Sequence, residues 1–151
     1  MPNWCYNRIR IDADSDQVEQ LKEIHDIFDN HSDPFNQILP IPDFKNIPND
    51  KGELPKLEQR LNPDGSVFYE TYNFPDGKND DRWYHWCIEN WGTKWDVSEL
   101  DVEYDEAVLE LTFSTAWSPP EGIVEKLRDK YPDLSFSCFY DEPGCEIAGY
   151  Y

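Results

Sequence analysis

The sequence predicts an α+β domain built on one antiparallel sheet, with its main helices on one face. Two observations carry this prediction: several segments alternate apolar and polar residues as strands do, and others repeat apolar residues at helical spacing. In chain order the segments read strand, helix, strand, strand, helix, strand, with a long segment and a tryptophan-rich helix inserted after the first helix. This βαββαβ order is that of the ferredoxin-like split unit, and 151 residues suit one such domain, residues 1–151.

The first strand covers residues 4–11, "WCYNRIRI", and its side chains alternate between two faces. One face carries Cys5, Asn7, Ile9 and Ile11, and the other carries Trp4, Tyr6, Arg8 and Arg10. The following "DADSDQ" is typical of a helix start, with Asp14 or Ser15 as the N-cap. Apolar residues then recur at helical spacing, which predicts an amphipathic helix over residues 16–29.

Residues 30–80 differ in composition from the rest, because they hold more than half of the chain's prolines. This predicts an irregular Pro-rich insertion within the domain, with a short helix around 53–61, a turn at "NPDG" and a short strand over 66–74. The segment also contains large apolar residues, which indicates that it packs rather than remains mobile. These are Ile38, Leu39, Ile41, Phe44, Phe68, Tyr69, Tyr72 and Phe74.

Four of the six tryptophans fall within residues 83–96, "WYHWCIENWGTKWD". The surrounding sequence predicts a short helix that begins after Asp80 or Asp81 and ends at Gly92, the expected C-cap glycine. Apolar residues form a wide face on this helix and polar residues a narrow one, so its rings are predicted to be core rather than a ligand platform. The predicted core rings are Trp83, Trp86 and Trp91.

Residues 97–104 and 107–117 alternate and are joined by "YDEA", which predicts a β-hairpin. Acidic residues are dense on this hairpin, and no Lys or Arg interrupts them. Alternation directs several of them away from the helices, which predicts a flat negative face that binds a basic protein surface. This predicted face comprises Glu99, Asp101, Glu103, Asp105, Glu106 and Glu110. The alternative is a solvated strand whose charges only prevent pairing with other sheets.

The second main helix opens at "SPPEG", with Ser118 as its N-cap. A strand over 134–140 follows, and "CEIAGYY" predicts an additional edge strand. Trp95 and Trp117 fall outside the helical pattern. A pocket between them for a small ligand or nucleotide is therefore the alternative binding site. In the competing interpretation, both rings seal the apolar layer at the edge of the sheet. The alternative site comprises Asn90, Gly92, Thr93, Lys94, Trp95, Trp117 and Ser118.

The net charge of −19 restricts the possible partners. So acidic a surface repels nucleic acid and acidic membranes, and it attracts basic proteins. The two central strands of the predicted sheet also offer few rings, because the third strand presents Glu110, Thr112 and Ser114 away from the helices. Base stacking of the kind seen in RNA-recognition modules is therefore not expected, and Arg8 or Arg10 is expected to pair with Glu110.

The sequence lacks the patterns of metal, cofactor and catalytic sites. Its cysteines form no CxxC pair and no zinc spacing, and no P-loop or GxGxxG occurs. We therefore expect no metal, no cofactor and no catalytic residues. With neither a basic leader nor an apolar stretch of ~20 residues, we expect a reducing cytoplasm with free, buried thiols. The cysteines are Cys5, Cys87, Cys138 and Cys145, and the isolated histidines are His25, His31 and His85.

Four stretches resemble the YubB-type ferredoxin-like domain family, namely "MPNWCYNRIRI", "WCIENWGTKWD", "FSTAWSPP" and "YDEPGCEIAGYY". The resemblance excludes much of residues 35–80. It implies the same ferredoxin-like fold and an origin in a phage, plasmid or other mobile element of bacteria, and it implies no activity or catalytic residues. We therefore expect a non-enzymatic acidic interaction protein in the bacterial host cytoplasm. Its expected partner is a basic host protein, such as one that binds nucleic acid or acts in defence; the oligomeric state is left open.

Overall fold

The computed structural model describes residues 2–151 and confirms the α+β fold. A five-stranded antiparallel sheet has the order β4-β5-β1-β6-β7, so β1 and β5 lie at its centre, as predicted, and β2 and β3 form a separate two-stranded sheet. The strands are β1 (Trp4–Asp12), β2 (Lys56–Leu61), β3 (Val67–Asn73), β4 (Ser98–Asp105), β5 (Val108–Ala116), β6 (Ser135–Glu142) and β7 (Ile147–Tyr150). The helices are α1 (Val18–Asn30), α2 (Pro34–Ile38), α3 (Arg82–Asn90) and α4 (Glu121–Lys130), with short 3-10 turns at Phe44–Asn46 and Pro143–Cys145.

The chain divides into two compact units. The larger unit combines the chain up to Pro40 with Trp86–Tyr151 and contains the five-stranded sheet. The smaller unit is Ile41–His85 and contains the two-stranded sheet. The predicted short helix around 53–61 is wrong, because residues 56–61 form strand β2 and pair with β3. Cross-strand pairing, which a short segment cannot reveal alone, decides this conformation.

One face of the large sheet is buried and carries both main helices. Along β1, Cys5, Ile9 and Ile11 are fully buried, whereas Tyr6, Arg8 and Arg10 between them are exposed. His25 of α1 stacks on Tyr104 of β4 at 4.1 Å between ring centroids. The guanidinium of Arg128 on α4 lies over Phe136 of β6 at 5.9 Å. Tyr104 and Phe136 share the parity of Ile9 and Ile11, so α1 and α4 cover the same face.

Trp91 is the tryptophan that the core of the larger unit encloses. It is 2% exposed, its ring nitrogen donates to the carbonyl oxygen of Leu39 at 2.9 Å, and its ring contacts Phe35 edge-on. The prediction for Trp91 is confirmed, but Trp83 is 37% exposed, so its prediction as core is wrong. Trp83 lies in the first turn of α3, whose one buried residue is Cys87, so burial does not reach that turn, whereas Trp91 directly follows the last residue of the helix. Trp86 is half-buried.

The end of α3 and the start of α4 are in close backbone contact. Gly92 has a φ of +87° and donates its N–H to the carbonyl oxygen of Cys87, which confirms it as the C-cap glycine. The N–H of Gly122 donates to the carbonyl oxygen of Trp91 at 3.0 Å. The hydroxyl of Ser118 donates to the carbonyl oxygen of Gly92 at 2.5 Å, so Ser118 does not cap α4, whose N-cap position is Pro120. The hydroxyl of Ser118 therefore bonds to a backbone group distant in sequence instead of to the first N–H groups of α4.

Asp96 fixes the position of the short helix α2. Its carboxylate accepts the backbone N–H groups of Phe35 and Asn36 at 3.1 Å each, at the first turn of α2, and that of Val97 at 2.9 Å. Burial raises the pKa of Asp96, while these N–H groups act in the opposite direction. The predicted caps of α1 differ from the structure, since α1 begins at Val18 after a turn in which Gln17 donates to the carbonyl oxygen of Asp14.

Candidate functional site on the open face of the sheet

The face of the large sheet opposite α1 and α4 is open to solvent, and strand pairing determines which side chains are neighbours there. Tyr6 lies opposite Ser114 on β5 and Asp141 on β6. Arg8 lies opposite Thr112 on β5 and Phe139 on β6. Every second residue of each strand points to this face, so aromatic, acidic and hydroxyl side chains form continuous rows across five strands. We call this surface the open face.

A shallow cavity of about 400 Å³ lies at the centre of the open face. Its lining comprises Tyr6, Asn7, Arg8, Glu99, Thr112, Phe113, Ser114, Phe139 and Asp141. Arg8 is the one base of this lining, and its guanidinium has no hydrogen-bond or ion-pair partner within residues 2–151. The cavity thus combines three rings, one cation and two carboxylates, a composition suited to recognising another polar surface.

The predicted acidic face lies at the β4–β5 side of the open face. Asp101 is opposite Thr112, and Glu103 is directly opposite Glu110, so two carboxylates of like charge are neighbours. Their parity matches that of Tyr6 and Arg8 on β1, as the alternation predicted.

The remaining acids of this face occupy less regular positions. Glu99 sits in an irregularity of β4 between Ser98 and Asp101, has a φ of +53° and lines the cavity. Bulges of this kind re-aim a side chain, and Glu99 lines the same cavity as Arg8 and Ser114. Asp105 ends β4, and Glu106 lies in the hairpin turn. The structure therefore gathers the predicted acids on one hairpin; whether they bind a partner stays a prediction.

Arg10 is opposite Glu110, as expected, but its hydrogen bonds go elsewhere. Its guanidinium donates twice to the carboxylate of Asp12, at 3.1 Å each, because both side chains lie on the same side of β1. These hydrogen bonds raise the pKa of Arg10, and Glu110 contributes only a weaker attraction. The prediction that Arg10 pairs with Glu110 is therefore wrong.

Sequence reasoning missed the rings that the outer strands add to the open face. It considered only the two central strands, whereas β6 and β7 present Phe139 and Tyr150, which contact each other edge-on at 5.2 Å. Tyr150 is 75% exposed and Tyr6 is 51% exposed. The parity of "SFSCFYD" places Phe139 with Asp141 and opposite to Cys138, so the signal was present once β6 was known to pair with β1.

The alternative site around Trp95 and Trp117 is internally bonded. Trp117 has a φ of +71°, and its N–H donates to the carbonyl oxygen of Asn3. The ring of Trp95 lies 6.4 Å from that of Trp4 and 4.4 Å from the ammonium of Lys94. The polar side chains of Asn90, Thr93 and Ser118 each donate to a backbone carbonyl. Their donors are therefore already used in the fold, and ligand binding here stays a prediction.

The buried thiols carry no sign of nucleophilic chemistry. Burial raises the pKa of Cys5, Cys87 and Cys138 to about 11, so the unreactive thiol form prevails at neutral pH. Cys145 is exposed, so the prediction of burial is wrong for this one cysteine. Across residues 2–151, no group of three His, Cys, Asp or Glu side chains is arranged to hold a metal ion. None of the helices in the same range is both long and apolar enough to cross a membrane.

The antiparallel sheet with two helices on one face places the larger unit in the ferredoxin-like class. Residues 90–151, less than half of the chain, match the model of a family described as the ferredoxin-like domain in Api92-like protein. A crystal structure of the protein Api92 from Yersinia pseudotuberculosis is similar, with a TM-score of 0.55. The identity is 11%, and the alignment covers 99% of this chain and 93% of that one, so the likeness shows the fold alone. No curated protein matches the chain.

Neither of these similarities names an enzymatic activity.

Proposed function

We propose that this protein is a non-enzymatic binding module whose open face recognises a basic surface of another protein. One observation carries the proposal: exposed rings and carboxylates without ion-pair partners lie side by side on one sheet face. Asp101, Glu103 and Asp105 have no ion-pair partner within residues 2–151, and Tyr6 and Tyr150 are at least half exposed. Aromatic residues and arginine are enriched where proteins bind each other.

The charges and the rings have different roles in this proposal. The net charge of −19 and the acidic hairpin accelerate the approach of a basic partner over a distance of about one Debye length, roughly 8–10 Å at physiological salt. The rings of Tyr6, Phe139 and Tyr150 then supply the apolar area that slows dissociation once water is excluded. Arg8 contributes donors to carbonyl or carboxylate groups of the partner.

The proposed origin of the protein and the proposed source of its partner rest on sequence motifs. The tryptophan-rich stretches that resemble the YubB-type family support an origin in a phage or other mobile element. The partner would then be a basic protein of the bacterial host, encountered in the cytoplasm.

The test uses two matched triple variants of the full chain. Asp101→Asn, Glu103→Gln and Glu110→Gln together remove three charges from the open face. Glu125→Gln, Asp129→Asn and Asp133→Asn remove three charges from exposed positions on and after α4. A basic protein that co-purifies with the wild type from a bacterial lysate at low salt is isolated, and its association is measured by biolayer interferometry over a range of salt.

We expect the open-face variant to associate several-fold more slowly and with a weaker salt dependence, with little change in dissociation. The control variant should associate nearly as fast as the wild type. Equal effects of the two variants would show that net charge alone matters and would refute the open face as the site. If binding does not depend on salt, the proposal also fails, and the region of Trp95 and Trp117 becomes the candidate.

A further inference from the structure

The smaller unit, Ile41–His85, exposes large apolar side chains on a two-stranded ribbon. In this ribbon β2 pairs with β3, and Leu57, Leu61 and Val67 lie on one face. The exposed fraction is 44% for Leu57, 60% for Leu61 and 50% for Val67. Phe68 falls at an irregularity in the register, where Leu61 pairs with Val67 and Arg60 with Tyr69, and it is 73% exposed.

Such exposure is unusual for a folded chain. An isolated two-stranded ribbon is marginal in water, and contiguous exposed apolar surface on soluble proteins commonly marks a binding site. The apolar side chains on this face and at the irregularity present on the order of 450 Å² per chain, more than half of the roughly 800 Å² per partner of a standard protein interface. These side chains are Leu57, Leu61, Val67 and Phe68.

The same unit contains a cavity of about 380 Å³. Its walls are mixed: Ile41, Pro42, Phe44, Tyr72 and Trp83 supply the apolar part, and Asp43, Lys45, Glu70, Thr71, Asn79 and Asp80 supply the polar part. This volume exceeds that of a phenylalanine side chain. Each chain therefore carries both an exposed ring and a cavity large enough to admit one, which is what an insertion repeated across a two-fold axis requires.

The wall of this cavity is held in place by Arg82. Its guanidinium donates to both carboxylate oxygens of Asp80, at 2.8 and 2.9 Å, and to the carbonyl oxygen of Phe44 at 2.7 Å. It also lies over the rings of Phe44 and Phe74, at 5.0 and 5.2 Å from their centroids. Preorganised walls lower the entropy cost of filling the cavity.

Charge favours a second copy of the chain as the occupant. Residues 41–85 contain nine acidic and six basic residues, whereas the rest of the chain contains 23 and seven. Two copies that met through the larger unit would bring strongly negative surfaces together. The nearly neutral smaller unit avoids this repulsion and offers no charge that would favour a basic partner.

We propose that two copies of the chain associate through Ile41–His85, with Phe68 of each copy inserted into the cavity of the other. This contact is independent of the open face, which belongs to the other unit. Because the ribbon face is apolar and the unit carries an excess of only three acidic residues, any charge effect is a weak repulsion between the copies, and the strength of the contact should not fall as salt rises.

The test is the molecular mass of the full chain, measured by sedimentation velocity from low to high micromolar concentration. We expect a reversible dimer, and we expect Phe68→Ser to weaken it about tenfold or more, as for a central interface ring. Phe68→Trp keeps a large ring and should retain the dimer, with Trp emission shifted to shorter wavelength on association. Tyr150→Ser removes an equally exposed ring from the open face and should leave the dimer unchanged.

Circular dichroism checks that every variant is folded. A wild type that stays monomeric at every concentration would overturn the proposal. A Phe68→Ser variant that dimerises as well as the wild type would overturn it too, because association would then use another surface. Neither result affects the proposed role of the open face, which is measured with a different partner.

Discussion

Replacing Gly122 by alanine sets helix propensity against tertiary packing. Gly122 lies in the first turn of α4, where alanine would be expected to add about 0.5–1 kcal/mol of stability on propensity alone. In the structure, a Cβ at this position would lie 1.9 Å from the carbonyl oxygen of Asn90 and 2.7 Å from its carbonyl carbon. Both are backbone atoms, so the clash cannot be relieved by rotating a side chain.

The size of the effect follows from what must move. Shifting α4 away from the end of α3 breaks the hydrogen bond from Gly122 to Trp91, a loss of about 1 kcal/mol. Overpacking typically costs a further 1–3 kcal/mol. After the gain in propensity, the Gly122→Ala variant should lose about 1–3.5 kcal/mol of stability, which lowers the melting temperature by roughly 2–14 °C for a chain of this size.

Urea and thermal unfolding followed by circular dichroism measure this change. The control is Glu125→Ala, an exposed position on the same helix, which should stay within about 0.5 kcal/mol of the wild type. If Gly122→Ala is as stable as the wild type, the close approach of α4 to the end of α3 is incorrect.

Two further predictions use the same measurements. Trp91→Ala should lose about 3–5 kcal/mol because Trp91 is buried, whereas Trp83→Ala should lose less, about 1–2 kcal/mol, because its ring is only partly covered; equal losses would contradict the assignment of Trp91 as the core ring. The hydrogen bonds from Arg82 lower the pKa of Asp80 below its ordinary value of 3.8. The ionised carboxylate therefore stabilises the fold above pH 3.8. This stabilisation is lost as the pH falls through the lower pKa of the folded state. Asp80→Asn should therefore be less stable than the wild type at neutral pH, with a difference that shrinks in acid; a difference independent of pH would contradict this coupling.

Local sequence patterns were sufficient to predict burial where one face of a strand or helix is buried and the other is exposed to solvent. The alternation of β1 identified the buried set Cys5, Ile9 and Ile11 because a period of two leaves no other arrangement. Gly92 was recognisable as a helix end because a glycine is favoured at a φ of +87°. The acidic hairpin was equally visible, since alternation separates its charges from its apolar residues.

The remainder depended on contacts between residues far apart in the chain. Trp83 lies at the start of α3 and Trp91 directly after its end, and the apolar pattern that predicted both as core does not distinguish the exposed ring from the buried one. Residues 56–61 became a strand because β3 pairs with them, and Ser118 gave up its capping role for the carbonyl oxygen of Gly92. In each case a partner supplied by the fold outweighed a local preference worth less than about 1 kcal/mol.

The sequence by itself determined the charge of the chain, the order of the strands and main helices of the larger unit, and the face to which each residue of β1 points. Only the tertiary structure decided which strands are neighbours, and so which side chains meet on the open face. Arg8 and Phe139 are more than 100 residues apart, and they lie side by side because β6 pairs with β1. Alternation along a strand is fixed by backbone geometry within a few residues, whereas lateral neighbours are fixed by long-range hydrogen bonding and by burial of the whole sheet.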